Sequence, residues 1–375
     1  MTNIMNLIPE IILFASLISI LILKPNKKIV RILCFSGVAI SISAIVSIFY
    51  IKEEFTLSTF FKIYISIASL LFLTIYGKKH TVLEHASVLG VLISSLILFS
   101  FNNPLIVFCS MSMILISLLS FSITREHLSE YNNVVFIIST IISMILYKVS
   151  PTISLLALII IGLWVLIRTK NRDIEALFVF LIIPIIVYPS IATLFSKEMP
   201  LAKLSFAIIG SLLLLTASIL IMYTKKEIIT RSSKYTLFYI GDIFIILSIG
   251  TPEAISLAVM MLLLIPFTYS EYLDELNISH FAMIPIFAPF IIKLSTAKLL
   301  VLLENWYLLT FLGISTVIFW FYGAKELSNN NKKENVILNK RPIYIKVLSI
   351  IAVSFVVIFF NYIQGVLKIS MQYLK

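Results

Sequence analysis

The chain has 375 residues, 60% of them hydrophobic and 13% charged, and a mean hydropathy of +1.08. That leaves too little polar surface to cover a soluble domain of this length. The net charge of +11 does not point to nucleic acid, because the lysines sit in short loops between apolar runs, where they set membrane topology. The partner these numbers imply is the lipid bilayer.

Apolar runs long enough to cross about 30 Å of hydrocarbon follow one another from Leu7 onward, without strand-like alternation. The expected fold is therefore all-α, a polytopic membrane protein of about 14 transmembrane helices. In chain order the spans are expected at 7–23, 30–50, 59–76, 83–101, 104–123, 132–148, 151–167, 176–195, 201–223, 235–250, 252–269, 279–300, 303–323 and 343–367. The first span lacks the charge and small-residue cleavage site of a removable signal peptide. Cys34 and Cys109 both lie in apolar runs and the four histidines are scattered, so no disulfide or metal site is expected.

The loops after odd-numbered spans are basic. Lys24, Lys27, Lys28 and Arg31 follow the first, Lys78 and Lys79 the third, Arg168, Lys170 and Arg172 the seventh. Lys225, Lys226, Arg231 and Lys234 follow the ninth. The even loops hold little beyond Lys52, Lys148 and Lys197. The positive-inside rule then makes the odd loops cytoplasmic and puts both termini on the opposite side. The polar stretch 325–341 reads as a cytoplasmic tether to the last helix.

One span departs from the rest. Residues 279–299 are almost wholly apolar, yet contain Pro285, Pro289 and, four residues past the second proline, Lys293. Two prolines cost backbone hydrogen bonds, and such breaks are tolerated in a bilayer only where protein or a hydrated cavity covers them. A lysine at that depth costs about 2.5–3.5 kcal/mol on insertion scales, which makes Lys293 the first candidate functional residue. Snorkelling to an interface is the alternative for its side chain. Asp242, in the tenth span, is the second candidate: it pairs with Lys293 if the tenth and twelfth helices touch, or it caps its own helix. Tyr269, Glu271 and His280 lie near the membrane edge, with Glu271, Asp274 and Glu275 in a solvated acidic loop. Lys298 is expected to snorkel, and Lys62 and Lys148 to mark interfaces. A fainter echo of the proline pair occurs in the eighth span, at Pro184 and Pro189, with no lysine after it.

Several segments together resemble a known family. Ile284-Pro285 followed by Phe290-Ile291-Ile292-Lys293 is similar to the "IP…GFI.KF" segment of the antiporter-like membrane subunits of respiratory complex I. Trp306 and the aromatic cluster Phe319–Tyr322 fall where that family has a tryptophan and then "YYY.R". Ile228–Gly241 resembles its "IKRLLAYSSISQ.G" stretch. The opening Leu7-Ile8-Pro9-Glu10-Ile11-Ile12-Leu13 is similar to the "LLPEIILA" start of subunit N, and Phe60-Phe61-Lys62 to the "FFK" of its third span. The order is conserved across the whole chain.

The resemblance implies an antiporter-like fold of two inverted five-helix repeats with a broken twelfth helix. Residues 1–82 would be the first three helices, 83–195 and 196–323 the two repeats, and 324–375 the tether and last helix. It further implies a subunit of a proton-translocating NADH–quinone oxidoreductase in the bacterial inner membrane, with the other membrane-arm subunits as partners. Such a subunit has no redox centre, cofactor or quinone site of its own. The family's twelfth-helix lysine falls on Lys293, so Lys293 with Asp242 becomes the expected proton pathway. Departures are equally plain. The family's fifth-helix glutamate falls on Ser112, its eighth-helix lysine near Ile186, and its "PFH.WLPD" segment has no counterpart in Leu155–Arg172. The other readings are a non-pumping structural subunit, or a subunit of a multisubunit Na⁺/H⁺ antiporter or membrane-bound hydrogenase.

Overall fold

The computed structural model describes residues 7–23, 26–52, 56–77, 80–101, 104–124, 150, 177–195, 199–223, 231–269, 288–330 and 365. Among these there are eleven α-helices. They are α1 (Ile8–Leu23), α2 (Lys27–Lys52), α3 (Leu57–Tyr76), α4 (Val82–Ser100), α5 (Pro104–Thr124), α6 (Ile183–Leu194), α7 (Met199–Tyr223), α8 (Arg231–Ile249), α9 (Pro252–Tyr269), α10 (Ala288–Leu302) and α11 (Trp306–Asn330). Each coincides with one of the expected spans. The expected spans 132–148 and 151–167 lie outside the described residues, as does all but Gly365 of 343–367, so the count of fourteen is carried no further than these eleven.

The helix ends follow from local chemistry. Thr56 caps α3 by accepting a hydrogen bond from the Thr59 amide at 3.2 Å. Thr81 and Glu84 form a reciprocal capping box on α4, with the Thr81 amide 2.6 Å from Glu84 Oε2. Thr251 and Asn305 accept from Ala254 and Leu308 in the same way at the starts of α9 and α11. Between α8 and α9, Gly250 turns the chain at φ +69°, a conformation that an L side chain resists. Pro289 sits in the first turn of α10, where its missing N–H costs nothing. Pro285 lies outside the described residues. Before α6, a π-helical turn at Phe178–Ile182 opens the backbone just ahead of Pro184, and Pro189 lies inside the helix itself. The eighth span, where the proline echo lies, is thus irregular in its backbone.

Four of the helices contain windows long and apolar enough to cross a membrane, within α2, α3, α4 and α7. This is a multi-pass membrane protein. Many serine and threonine hydroxyls in the described helices donate to the carbonyl one turn back, as in Ser95 to Val91 at 2.6 Å and Thr296 to Ile292 at 2.8 Å. A polar group so bonded can sit in hydrocarbon at little cost.

The chain divides into two compact units, Met1–Pro189 and Ser190–Tyr373. In the first, α4 is the enclosed helix, with all but a few of its residues buried, and α1, α3 and α5 pack around it. In the second, α8 is enclosed: every residue from Thr236 to Ile249 is buried. Its neighbour α7 shows the reverse on its outer side, where Leu201, Leu204, Ile208, Leu212, Leu215 and Ile219 are exposed at helical spacing. Such an apolar stripe suits lipid.

Close approach of α7 and α8 depends on two glycines. A Cβ placed on Gly210 would stand 2.8 Å from the backbone nitrogen of Ile245, and one on Gly241 would stand 3.1 Å from that of Leu214. The small residues let the two backbones meet, which is the means by which membrane helices gain packing without a hydrophobic driving force. Asp242, the next residue after Gly241, is thereby fixed deep inside the unit.

Candidate functional site

Lys293 lies in the second turn of α10, and Asp242 midway along α8. Their side chains are 5% and 0% exposed, and Lys293 Nζ is 2.9 Å from Asp242 Oδ2. The sequence left open whether Asp242 pairs with the lysine or caps its own helix; the structure pairs it. The snorkelling alternative for Lys293 does not hold in this structure, because its ammonium is enclosed.

Two further groups complete the enclosure. Lys293 Nζ donates to Thr316 Oγ1 on α11 at 2.9 Å. Thr316 in turn donates its own proton to the Leu312 carbonyl, so its oxygen is oriented to accept. The Phe238 ring, one turn before Asp242, lies with its centroid 4.0 Å from Nζ and is stacked on Phe319 at 4.1 Å. A desolvated cation over an aromatic face is worth about 2 kcal/mol or more. Two helices, α8 and α11, thus supply one carboxylate, one aromatic face and one hydroxyl to a single buried amine on a third, α10.

The electrostatics are finely balanced. Removing either charge leaves the other buried and uncompensated, at a cost of about 3–5 kcal/mol. Together they are neutral, and the short separation recovers much of the desolvation cost. Asp242 Oδ1 has no hydrogen-bond partner among the described residues. A carboxylate with an unused acceptor beside a lysine can take up a proton without rearranging its neighbours. Chemically, the arrangement can hold, pass and exchange protons. It has no nucleophile–base pair, and the described residues contain no group of three metal-ligating side chains.

Other expected residues fall as follows. Lys298 is exposed, as anticipated for a snorkelling side chain. Lys62, expected at an interface, is buried in the protein and paired with Glu10, Nζ to Oε1 at 3.0 Å. Tyr269 ends α9, and Ser112 lies on α5. Glu271, Asp274, Glu275, His280 and Lys148 lie outside the described residues. Cys34 and Cys109 are both free thiols. Sequence reasoning missed Thr316 and Phe238: a threonine or phenylalanine in an apolar span carries no signal until its neighbour is known. It also missed the Glu10–Lys62 pair, whose members are separated by 52 positions.

No protein-family model matches the chain, and no curated protein matches it. The structure is similar to a chain of respiratory complex I from Thermus thermophilus, in a structure with bound aureothin. The likeness covers 96% of this chain and 96% of that one, with a TM-score of 0.68 and 10% sequence identity. At that identity the likeness speaks for the fold: a multi-pass helical membrane chain built like one found in respiratory complex I.

Proposed function

We propose that this chain is a membrane-arm subunit of an NADH–quinone oxidoreductase of the complex I type, close to subunit N, and that it translocates protons. Lys293 is the relay amine and Asp242 the carboxylate that stabilises its charged state. The observation that carries the reading is the enclosure of the Lys293–Asp242–Thr316 cluster inside the second unit of a fold shared with a complex I chain. An ion pair buried in an apolar bundle is a poor stabiliser compared with packed apolar residues, so its retention favours a role in charge movement.

In this reading the protein's own residues do three things. Asp242 and the Phe238 face hold the ammonium in place. Thr316 fixes the direction of one of its three N–H bonds. Loss of a proton from Nζ leaves a neutral amine beside a carboxylate that is itself ready to be protonated, and a charge arriving nearby tips the balance. No cofactor takes part. The two five-helix repeats, the cytoplasmic odd loops, the non-cytoplasmic termini and a bacterial inner-membrane location belong to the same proposal, supported by the loop charges and the motifs. The other membrane-arm subunits are the partners.

A second reading has one specific feature in its favour. The resemblance puts Ser112 and the apolar surroundings of Ile186 where the family carries titratable groups, which suits a subunit that fills its place without pumping. Proton translocation per electron pair in membranes carrying Lys293→Arg decides between them. Arginine keeps the positive charge but does not release its proton. Pumping by this chain predicts a clear fall with normal assembly; unchanged stoichiometry would leave only the structural role.

A further inference from the structure

The first unit holds a second buried acid–base cluster that the reading above does not use. Glu10 on α1, Lys62 on α3 and Ser100 at the end of α4 meet there. Lys62 Nζ and Ser100 Oγ each lie 3.0 Å from Glu10 Oε1. Glu10 is 4% exposed and Lys62 8%. The components are those found around Lys293: an amine, a carboxylate and a hydroxyl, brought together from three helices.

Two observations set this cluster apart from a simple clamp between helices. The first is that Glu10 Oε2 is buried with no hydrogen-bond partner among the described residues, while Oε1 accepts from Lys62 and lies within reach of the Ser100 hydroxyl, which is also 2.7 Å from the Leu96 carbonyl. A clamp gains nothing from a bare carboxylate oxygen, which costs about 1–3 kcal/mol when left unsatisfied. The second is the face of α3 that continues inward from Lys62. Ser66 and Ser69 follow at four and seven residues, on the same side of the helix, and both are 0% exposed. The Ser66 hydroxyl has no partner among the described residues. Ser69 donates to the Ile65 carbonyl, which leaves its oxygen free to accept in the direction of the next group.

We propose that Glu10, Lys62 and Ser100 form a second proton-exchange site, reached from the membrane interior along the Ser66 and Ser69 hydroxyls. The site has two states of equal net charge, carboxylate with ammonium and carboxylic acid with amine. They interconvert when one proton moves from Nζ to a Glu10 oxygen, and neither state adds an uncompensated charge to the apolar interior. Oε2 receives the proton that the ammonium releases; as Glu10 then gives that proton up, the neutral lysine takes another from the Ser66 side, so the pair returns to carboxylate with ammonium, one proton has passed and the net charge is unchanged. Phe61 and Phe99, the sequence neighbours of Lys62 and Ser100, pack with Tyr188 at ring-centroid distances of 4.8–5.6 Å. The first unit thus regains an acid–base pair on α1 and α3, away from the positions where the family resemblance finds its titratable groups missing.

The proposal uses the Lys293 reading for its driving force, so the test carries both. Proton translocation per electron pair is measured in membranes holding the assembled complex with Lys62→Arg, with the double change Ser66→Ala and Ser69→Ala, and with Lys293→Arg. Lys62→Arg keeps the ion pair but does not release a proton, and the serine changes remove the hydroxyls without touching the pair. A fall of about twofold or more in both, with normal assembly, is expected from an exchange site; a clamp predicts no change in either. If only Lys293→Arg lowers translocation, the second site is overturned and the Lys293 reading stands. If none of the three does, the Lys293 reading fails, and infrared spectroscopy of the purified full chain decides the second site by itself. A deuterium-sensitive carboxylic-acid band that disappears in Glu10→Gln supports it, and absence of that band overturns it. The infrared measurement and the serine variant also decide the matter if Lys62→Arg does not assemble.

Discussion

A Cβ on Gly210 would stand 2.9 Å from the carbonyl oxygen of Gly241, so the backbones of α7 and α8 touch where these two glycines face each other. The contact fixes the depth and rotation of α8, and Asp242 is the residue directly after it. Alanine at Gly210 must displace backbone as well as a side chain, since beside Ile245 Cγ1 at 2.7 Å it meets the Ile245 nitrogen at 2.8 Å. Overpacking of this kind costs about 1–3 kcal/mol. Gly210→Ala is therefore expected to lower the thermal midpoint of the detergent-solubilised chain by several degrees. It should also separate α7 from α8 enough to weaken the Asp242–Lys293 contact, so the loss of proton translocation should exceed the loss of assembled protein. Gly313, whose added Cβ would meet nothing within 4 Å, serves as the control: Gly313→Ala should be neutral or slightly stabilising.

The buried pair gives a sharper expectation. Asp242→Leu leaves the Lys293 ammonium with Thr316 and the Phe238 face but no counter-charge, and Lys293→Met leaves the carboxylate bare. Each single change is expected to cost about 3–5 kcal/mol. Asp242→Leu combined with Lys293→Met replaces both groups by apolar ones and should recover most of that loss. Chemical unfolding in mixed micelles measures all four proteins, and the coupling term of the cycle is the quantity of interest. Additive losses would mean that the pair does not interact. On the proposed relay role, proton translocation should separate from stability in the same set, because the double variant is stable yet lacks both titratable groups. Thr316→Val, which removes one hydrogen bond to a charged group, should cost about 1.5–3 kcal/mol and leave assembly intact.

How much of this was legible beforehand follows from the scale of each signal. The eleven described helices coincide with expected spans because membrane crossing imposes a length on every apolar run, and loop lysines mark the ends. Lys293 and Asp242 were visible as single residues, since an ionisable side chain in an apolar span is conspicuous. Their contact was not visible: it depends on how α8 and α10 pack, and the glycines that fix α8 act through α7. Thr316 and Phe238 had no sequence signal, because a hydroxyl bonded to its own helix and a phenylalanine in lipid are both commonplace. Lys62 carried no sign of its pairing for the same reason. It was judged alone, while its partner Glu10 sits on a different helix and passed as part of an N-terminal motif.

The link between α8 and α9 is the last place where one residue type decides the outcome. Gly250 has φ +69°, its amide donates to the Leu247 carbonyl at 3.0 Å, and the Lys203 side chain lies across the position a Cβ would take, its Cε 2.0 Å away. Gly250→Ala therefore imposes two costs. The left-handed backbone is strained for alanine by about 1 kcal/mol, and the lysine stem must swing aside. The second cost is small only if the stem can move freely, and the Lys203→Ala background tests this by removing the stem. In the native background Gly250→Ala should destabilise the chain by about 1–2 kcal/mol. In the Lys203→Ala background the penalty should shrink toward the backbone term alone. An unchanged penalty would show that the lysine yields at no cost and that strain in the turn accounts for the whole effect. Since α8 carries Asp242 and α9 packs against α10, which carries Lys293, the same variant should slow proton translocation only to the extent that it unfolds the bundle.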